Sequence, residues 1–482
     1  MNNPKPIRLH SATGVPSRST LTPVLPWAHI GMRHSSAIRS LMYHDGQGNL
    51  LTTSSPVAAA YFSEAISDFL DYRTTPSARL KDALAEDPDF ALASCLRAYF
   101  LMMTENRAVL PRVLDTIKTL LSQSERLTER ERLHINALSA WADLDILKSC
   151  QVWEQILTIA PRDILALKLH HTMAFYTGRS QVLRSVIAGV LQAWNAALPG
   201  YPAVQGMYAY ALEECGLYEQ AERSGRDAVA ANPDDLWAIH AVGHVLDMQG
   251  RYDEGIIWLN PSAEDWSDRN PFKAHLWWHA ALFHLGLDEI DAALTVHDNL
   301  LCSVNTKSYV DVSNQASLLK RIEIRGIDVG ERWELLAEHA ATRLNDHILT
   351  FRDAHFFLAL AAAGRYDIAA DHIASMTIFS ERNESWTAVA TRSTLIPLCK
   401  GLIAYETCDY GLACDILWPM RNDLAPVGGS HTQRDLFRQI LEDAAIKAGR
   451  SAIASFLLSE RISQRPNESR YQSQYRALTG TQ

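Results

Sequence analysis

The segment CGLYEQAERSGRDAVAANPDDLWAI, Cys215 to Ile239, decides the fold. It reads as the end of one helix, a glycine, an aromatic residue and then a second helix, with small residues at fixed offsets. QGRYDEGIIWLNPS (Gln249 to Ser262) and AGRYDIAADHIASM (Ala363 to Met376) follow the same order. Gly216 and Gly250 lie 34 residues apart, and Gly250 and Gly286 lie 36 apart. That is the spacing of a tetratricopeptide repeat, a pair of antiparallel helices that cannot bury its apolar faces alone and must stack on its neighbours.

Upstream, Pro88, Pro161 and Pro233 in EDPDF, IAPRD and NPDD fall 73 and 72 residues apart, about two repeat lengths each. Downstream, the runs from Glu331, Asp353, Thr391 and His431 read as further amphipathic helices at irregular spacing. The sequence therefore predicts an all-α chain. A tetratricopeptide-like helical-repeat superhelix (an α-solenoid) with degenerate terminal repeats covers residues 56–465, after a partly irregular leader over 1–55 and before a polar tail over 466–482 that frays. Residues 1–44 contain five Lys or Arg and no Asp or Glu. Prolines argue against the amphipathic helix of a transit peptide, and Met32 and Met42 are alternative starts.

Composition narrows the class. Helix formers dominate and glycine is scarce. A formal charge of -10 without a Lys/Arg cluster argues against nucleic-acid binding. The seven cysteines show no C-x-x-C spacing and read as buried thiols of a reducing cytoplasm. No apolar run is long enough for a bilayer, so a soluble cytoplasmic protein without membrane contact is expected.

Setting Gly250 at position 15 of the repeat puts Gly243 at the small position 8 and turns Trp237, His240, His244, Asp247 and Met248 towards the concave surface. The preceding repeat brings Gly206, Tyr210, Glu213 and Glu214 to the same side. In the next, HLWWHAALFH from His275 to His284, the register is open. GLDEIDAAL has one residue more than the pattern, so either His275 or His284 leans into the groove while His279 enters the helix interface.

His240 and His244 stand four apart, on one face of a helix. Such a pair chelates a divalent ion, with Asp247 or Glu213 as a further ligand, or works as general acid and base under the influence of neighbouring carboxylates. A third reading makes the histidines half-polar fillers bonded to backbone or carboxylate. No H-E-x-x-H is present, and the metal is the least favoured of the three.

A second stretch, APVGGSHTQRDLFRQIL from Ala425 to Leu441, holds a capping box, Ser430 with Gln433, behind the Gly428-Gly429 turn. Such a turn also aims N–H groups at anions. His431 and Arg434 would add positive charge there, oriented by Asp435. The G-x-S-x-G elbow is absent. Asp311, Asp353 and His355 read as buried hydrogen-bonding residues that would share the cavity if the superhelix curls enough.

From about Asp45 to the C-terminal helix the chain resembles the tetratricopeptide repeat protein 38 family, through HAVGHVLDMQGRYDEGIIWL, HLWWHAALFHLG, DAHFFLALAAAGRYDIA and GGSHTQRDLF. It departs from the family pattern at Asp247, where a Glu is usual, and at Leu276, where an Asn is usual. The resemblance implies a helical-repeat architecture, no assigned reaction, and a family motif that includes His240, His244, His275, His279 and His431.

Function is therefore expected in an internal His/carboxylate pocket that binds a small polar molecule and has the residues to transform it. His240, His244 and His431 are the candidate catalytic groups. Tyr210, Glu213, Trp237, Asp247, His275, His279, Arg434 and Asp435 are the candidate ligand contacts, with Asp247 and Glu213 as orienters of the imidazoles. The alternative is a scaffold for a protein partner in which the histidines are structural.

Overall fold

The computed structural model describes residues 42–259, 266–302, 308–465 and 468–480. Helices dominate. The sheet found among the described residues is an antiparallel hairpin of β1 (Met42–His44) and β2 (Leu50–Thr52). It falls in the segment expected as an irregular leader, and it is anchored. The Thr52 N–H and hydroxyl both donate to Glu131, at 2.8 and 2.6 Å, and Arg130 donates to the Leu50 carbonyl at 2.6 Å. The rest of that leader, residues 1–41, lies outside the described residues.

Helix ends follow one local rule. Gly216 has φ 74°, its N–H donates to the Glu213 carbonyl, and the next N–H reaches back to Leu212. Gly250, with φ 67°, repeats this on Asp247 and Leu246. The left-handed residue lets the chain fold back and satisfy carbonyls that a helix end leaves unpaired. The same pair of bonds closes helices at Leu144, Gly178, Asp288, Gly364, Cys408 and Gly449.

Gly286 is not one of these caps. It is the last residue of its helix, and the left-handed residue is Asp288, φ 59°, two positions further on. Gly286 is required for packing instead, because a Cβ there would stand 2.5 Å from the Tyr252 ring.

Nine helices position the site, numbered in chain order: α1 (Ile164–Tyr176), α2 (Tyr201–Glu213), α3 (Tyr218–Ala231), α4 (Leu236–Met248), α5 (Phe272–Gly286), α6 (Tyr309–Glu323), α7 (His431–Lys447), α8 (Ser451–Gln464) and α9 (Ser469–Thr479). Each of α2, α4 and α5 packs on its sequence neighbours, and α7 packs back on both α4 and α6. Two large apolar cores result. Trp237 and Ala241 of α4 belong to the first, while Leu236, Val242 and Leu246 belong to the second, so α4 runs along the seam.

Within the segment expected to fray, Ser469–Thr479 form a helix. α9 packs on α8, where the Arg461 guanidinium lies 4.7 Å above the ring of the buried Tyr471. Tyr252 donates to Glu468 at 3.2 Å just before it. A polar sequence folds here because its charges have partners. No helix among the described residues is long and apolar enough to cross a membrane. All seven cysteines are free; Cys95, Cys150, Cys399 and Cys414 are buried as expected, whereas Cys302 and Cys408 are exposed.

Candidate functional site

The Asp235 carboxylate caps α4 by accepting from the Trp237 and Ala238 N–H groups at 2.9 and 3.1 Å. α4 lies against α5, and each helix presents one i, i+4 histidine pair to the other. The four rings meet. Centroids are 4.4 Å apart for His240 and His244, 4.5 Å for His244 and His279, and 4.9 Å for His240 with either His275 or His279. One nitrogen from each ring lies within 4.8 Å of the other three. Thus both His275 and His279 face this centre, while His284 points elsewhere and pairs with Glu289 at 2.7 Å.

Burial of the cluster is nearly total, at 0–4% exposure. Both nitrogens of His240, His244 and His279 lack a hydrogen-bond partner among the described residues, as do both Glu213 oxygens and the Tyr210 hydroxyl. An unsatisfied buried polar atom costs about 1–3 kcal/mol, and native interiors hold few. So many around one point is not how packing histidines are accommodated. Only His275 is tied down, its Nδ1 lying 2.8 Å from the Asn314 Oδ1.

Burial, then repulsion from the neighbouring imidazoles, pushes His240, His244 and His279 well below the usual histidine range, and burial takes His275 to about 4. The rings are neutral at physiological pH and keep a free lone pair each. Glu213 Oε2 stands 3.6 Å from His244 Nδ1, beyond hydrogen-bond reach. Burial, reinforced by Glu214 and Asp247, raises the Glu213 carboxyl well above the carboxylate range.

Aromatic rings wall the cluster. Tyr210 stacks on His240 with centroids 5.6 Å apart, and Trp237 lies 4.8 Å from the same ring. Two groups that the sequence reading missed complete this wall, both from α1. His171 stands edge-on to Tyr210 and Trp237, and the Lys168 ammonium lies 4.7 Å over Trp237 while donating to Tyr72 at 2.8 Å. Burial lowers Lys168 to about 8.

The glycine turn comes round to this place. The capping box forms as read, with Gln433 N–H to Ser430 Oγ at 3.1 Å and Ser430 N–H to Gln433 Oε1 at 2.9 Å. Gly429 is pinned by Phe351, whose ring would lie 2.7 Å from a Cβ, and both glycines have left-handed φ.

Three roles assigned from sequence change here. The anion at the α7 N-terminus is the protein's own Glu214, which accepts the His431 N–H at 2.8 Å and lies 3.7 Å from Arg434. Asp247 does not orient His240 or His244, because it accepts from Thr432 at 2.8 Å and faces Arg465 at 3.8 Å. Asp435 orients neither His431 nor Arg434, since Arg461 holds both its oxygens at 2.9 and 3.0 Å.

Asp353 and His355 belong elsewhere too. Asp353 pairs with Arg352 and His347, and His355 Nδ1 meets the Phe351 carbonyl at 2.8 Å. Asp311 is buried with neither oxygen hydrogen-bonded among the described residues, and burial raises it to about 7.

Between α2 and the α7–α8 pair lies a cavity of about 700 Å³. Glu213, Glu214 and Tyr218 line one side; His431, Arg434, Arg438, Arg461 and Arg465 line the other. His431 is half exposed there. Arg421, also in the lining, stacks on Trp418 at 3.7 Å and forms no ion pair among the described residues. Glu213 is among the residues lining the cavity, while its fully buried carboxyl lies 3.6 Å from His244. The class these features define is a predominantly helical, all-α protein with a buried imidazole cluster beside a charged cavity. No family model matches the chain.

Proposed function

We propose that this chain is a tetratricopeptide-type helical-repeat protein, of the kind the tetratricopeptide repeat protein 38 resemblance implies, whose C-terminal turn closes a pocket for a small polar molecule. The repeat reading is supported by the helix caps that recur from Leu144 to Gly449 and by packing between sequence neighbours. The pocket reading rests on one observation above the rest, the cavity of about 700 Å³ whose lining includes Glu214, His431 and Arg434 together with Glu213, which lies 3.6 Å from His244. That volume suits a small molecule rather than an extended peptide.

The lining selects the ligand. Guanidinium groups of Arg434, Arg438, Arg465 and Arg421 favour a carboxylate or phosphate, and Glu213 and Glu214 favour a donor group on the same molecule. His431, half exposed at the rim, is the group placed to exchange a proton with such a ligand.

A thermal-shift screen of small compounds carrying both an anionic group and a hydroxyl or amine tests this. The expected result is a compound that raises the melting temperature of the wild type and not that of Arg434→Ala or Glu213→Gln. If no compound discriminates these proteins, and one stoichiometric protein partner is lost on mutating the same residues, the chain is a scaffold.

A further inference from the structure

We infer that His240, His244, His275 and His279 form a four-imidazole site for a divalent transition-metal ion, of the zinc, cobalt, nickel or copper type. This inference goes beyond the small-molecule pocket and stands whether or not the cavity binds a ligand.

Geometry carries it. One nitrogen from each of four rings already lies within 4.8 Å of the other three. Tetrahedral coordination at about 2.0–2.1 Å per nitrogen would place those atoms roughly 3.3–3.4 Å apart, so closure needs only small side-chain rotations inward. The donors come as two i, i+4 pairs on facing helices, so the backbone spacing needs no rearrangement. Six nitrogens of His240, His244 and His279 have no hydrogen-bond partner among the described residues, and an ion would engage one from each ring, three of the six, where a packing role engages none.

The surroundings match what ligating histidines require. A metal-bound imidazole ordinarily donates its other N–H to a carbonyl or carboxylate, which fixes the tautomer. Asn314 Oδ1, 2.8 Å from His275 Nδ1, does this and leaves Nε2 of His275 as the donor to the ion. Glu213 stands on the corresponding side of His244, its Oε2 3.6 Å from Nδ1 with both oxygens unpartnered among the described residues, so a small rotation would let it accept that ring's other N–H. The nearby cations are engaged elsewhere, Lys168 with Tyr72 and Arg321 with Ser317 and the Thr432 carbonyl.

The donor set decides the ion. Four neutral nitrogens suit zinc and its transition-metal neighbours and offer nothing to magnesium or calcium, which want oxygen. Four protein ligands close the shell, so the site is structural in kind: it staples α4 to α5 along the seam between the two cores.

The test is a titration of the full-length, tag-free, chelator-stripped protein with Zn²⁺ and separately with Co²⁺. One ion per chain is expected, with Co²⁺ giving the intense visible bands of a tetrahedral nitrogen site and Zn²⁺ raising the melting temperature. The His240→Ala/His279→Ala double variant should lose the ion and the melting shift. Should that variant fail to fold, Asn314→Ala decides: it removes only the group that orients His275 and should weaken binding about 10–100-fold. Folded wild-type protein that takes up neither ion, or stoichiometric binding as tight in the double variant, would overturn the inference.

Discussion

The Thr432 hydroxyl donates to the Asp247 carboxylate at 2.8 Å, joining two helices whose residues are 185 positions apart in the chain. The Thr432 carbonyl meanwhile accepts from Arg321 at 2.7 Å, so one residue links α4, α6 and α7. These two bonds hold the glycine turn over the cavity.

Thr432→Val keeps the shape and removes the hydroxyl. Among the described residues it leaves the buried Asp247 side chain with the distant Arg465, and it should cost about 1–3 kcal/mol. Urea denaturation measures this, and hydrogen exchange should rise across residues 428–434. A variant with an unchanged midpoint and unchanged exchange would show that the turn is held by other contacts.

Gly286→Ala opposes two effects. In an exposed helix interior, alanine is favoured over glycine by about 1 kcal/mol. Here the added methyl would meet the Tyr252 ring at 2.5 Å, and overpacking costs about 1–3 kcal/mol. The clash should win, lowering the thermal midpoint. A higher midpoint would mean that Tyr252 gives way freely.

Glu105 sets a pH dependence. Burial raises its carboxyl to about 8, with Asp353 and Asp346 adding to the shift and Arg352 and Arg343 opposing it. A raised folded pKa means that the protonated form is favoured by folding. Its contribution to stability is fully present below the unfolded value of about 4.3 and is lost as pH rises through 8. Glu105→Gln mimics the protonated acid, so the variant should gain on the wild type between pH 5 and pH 9, by on the order of a few kcal/mol. Parallel denaturation midpoints across that range would refute this.

Much of the site's make-up was readable in the sequence, through periodicity. The i, i+4 spacing put His240 with His244 and His275 with His279, and Gly216 and Gly250 do cap helices. The helical class followed from the same periodicity. Reading Gly286 as a third cap failed because Asp288 adopts the left-handed conformation instead, and no local pattern marks an aspartate for that role. Asp247 and Asp435 drew attention as carboxylates near histidines, but the partners that claim them, Thr432 and Arg461, are set by long-range packing. His171 and Lys168 sit in ILALKLHHTMAFY, a helix buried on all sides, so no polar stripe distinguished them. The convergence of the two histidine pairs depends on how α4 meets α5.

The imidazole cluster is kept to bind an ion rather than to pack the metal-free core, and the stability of His244→Leu and His279→Leu in chelator tests this most directly. These rings have no hydrogen bonds to lose among the described residues, so an apolar side chain of similar size should leave the urea midpoint unchanged or raise it. A loss of about 2 kcal/mol or more in both variants would show that the histidines hold the fold together.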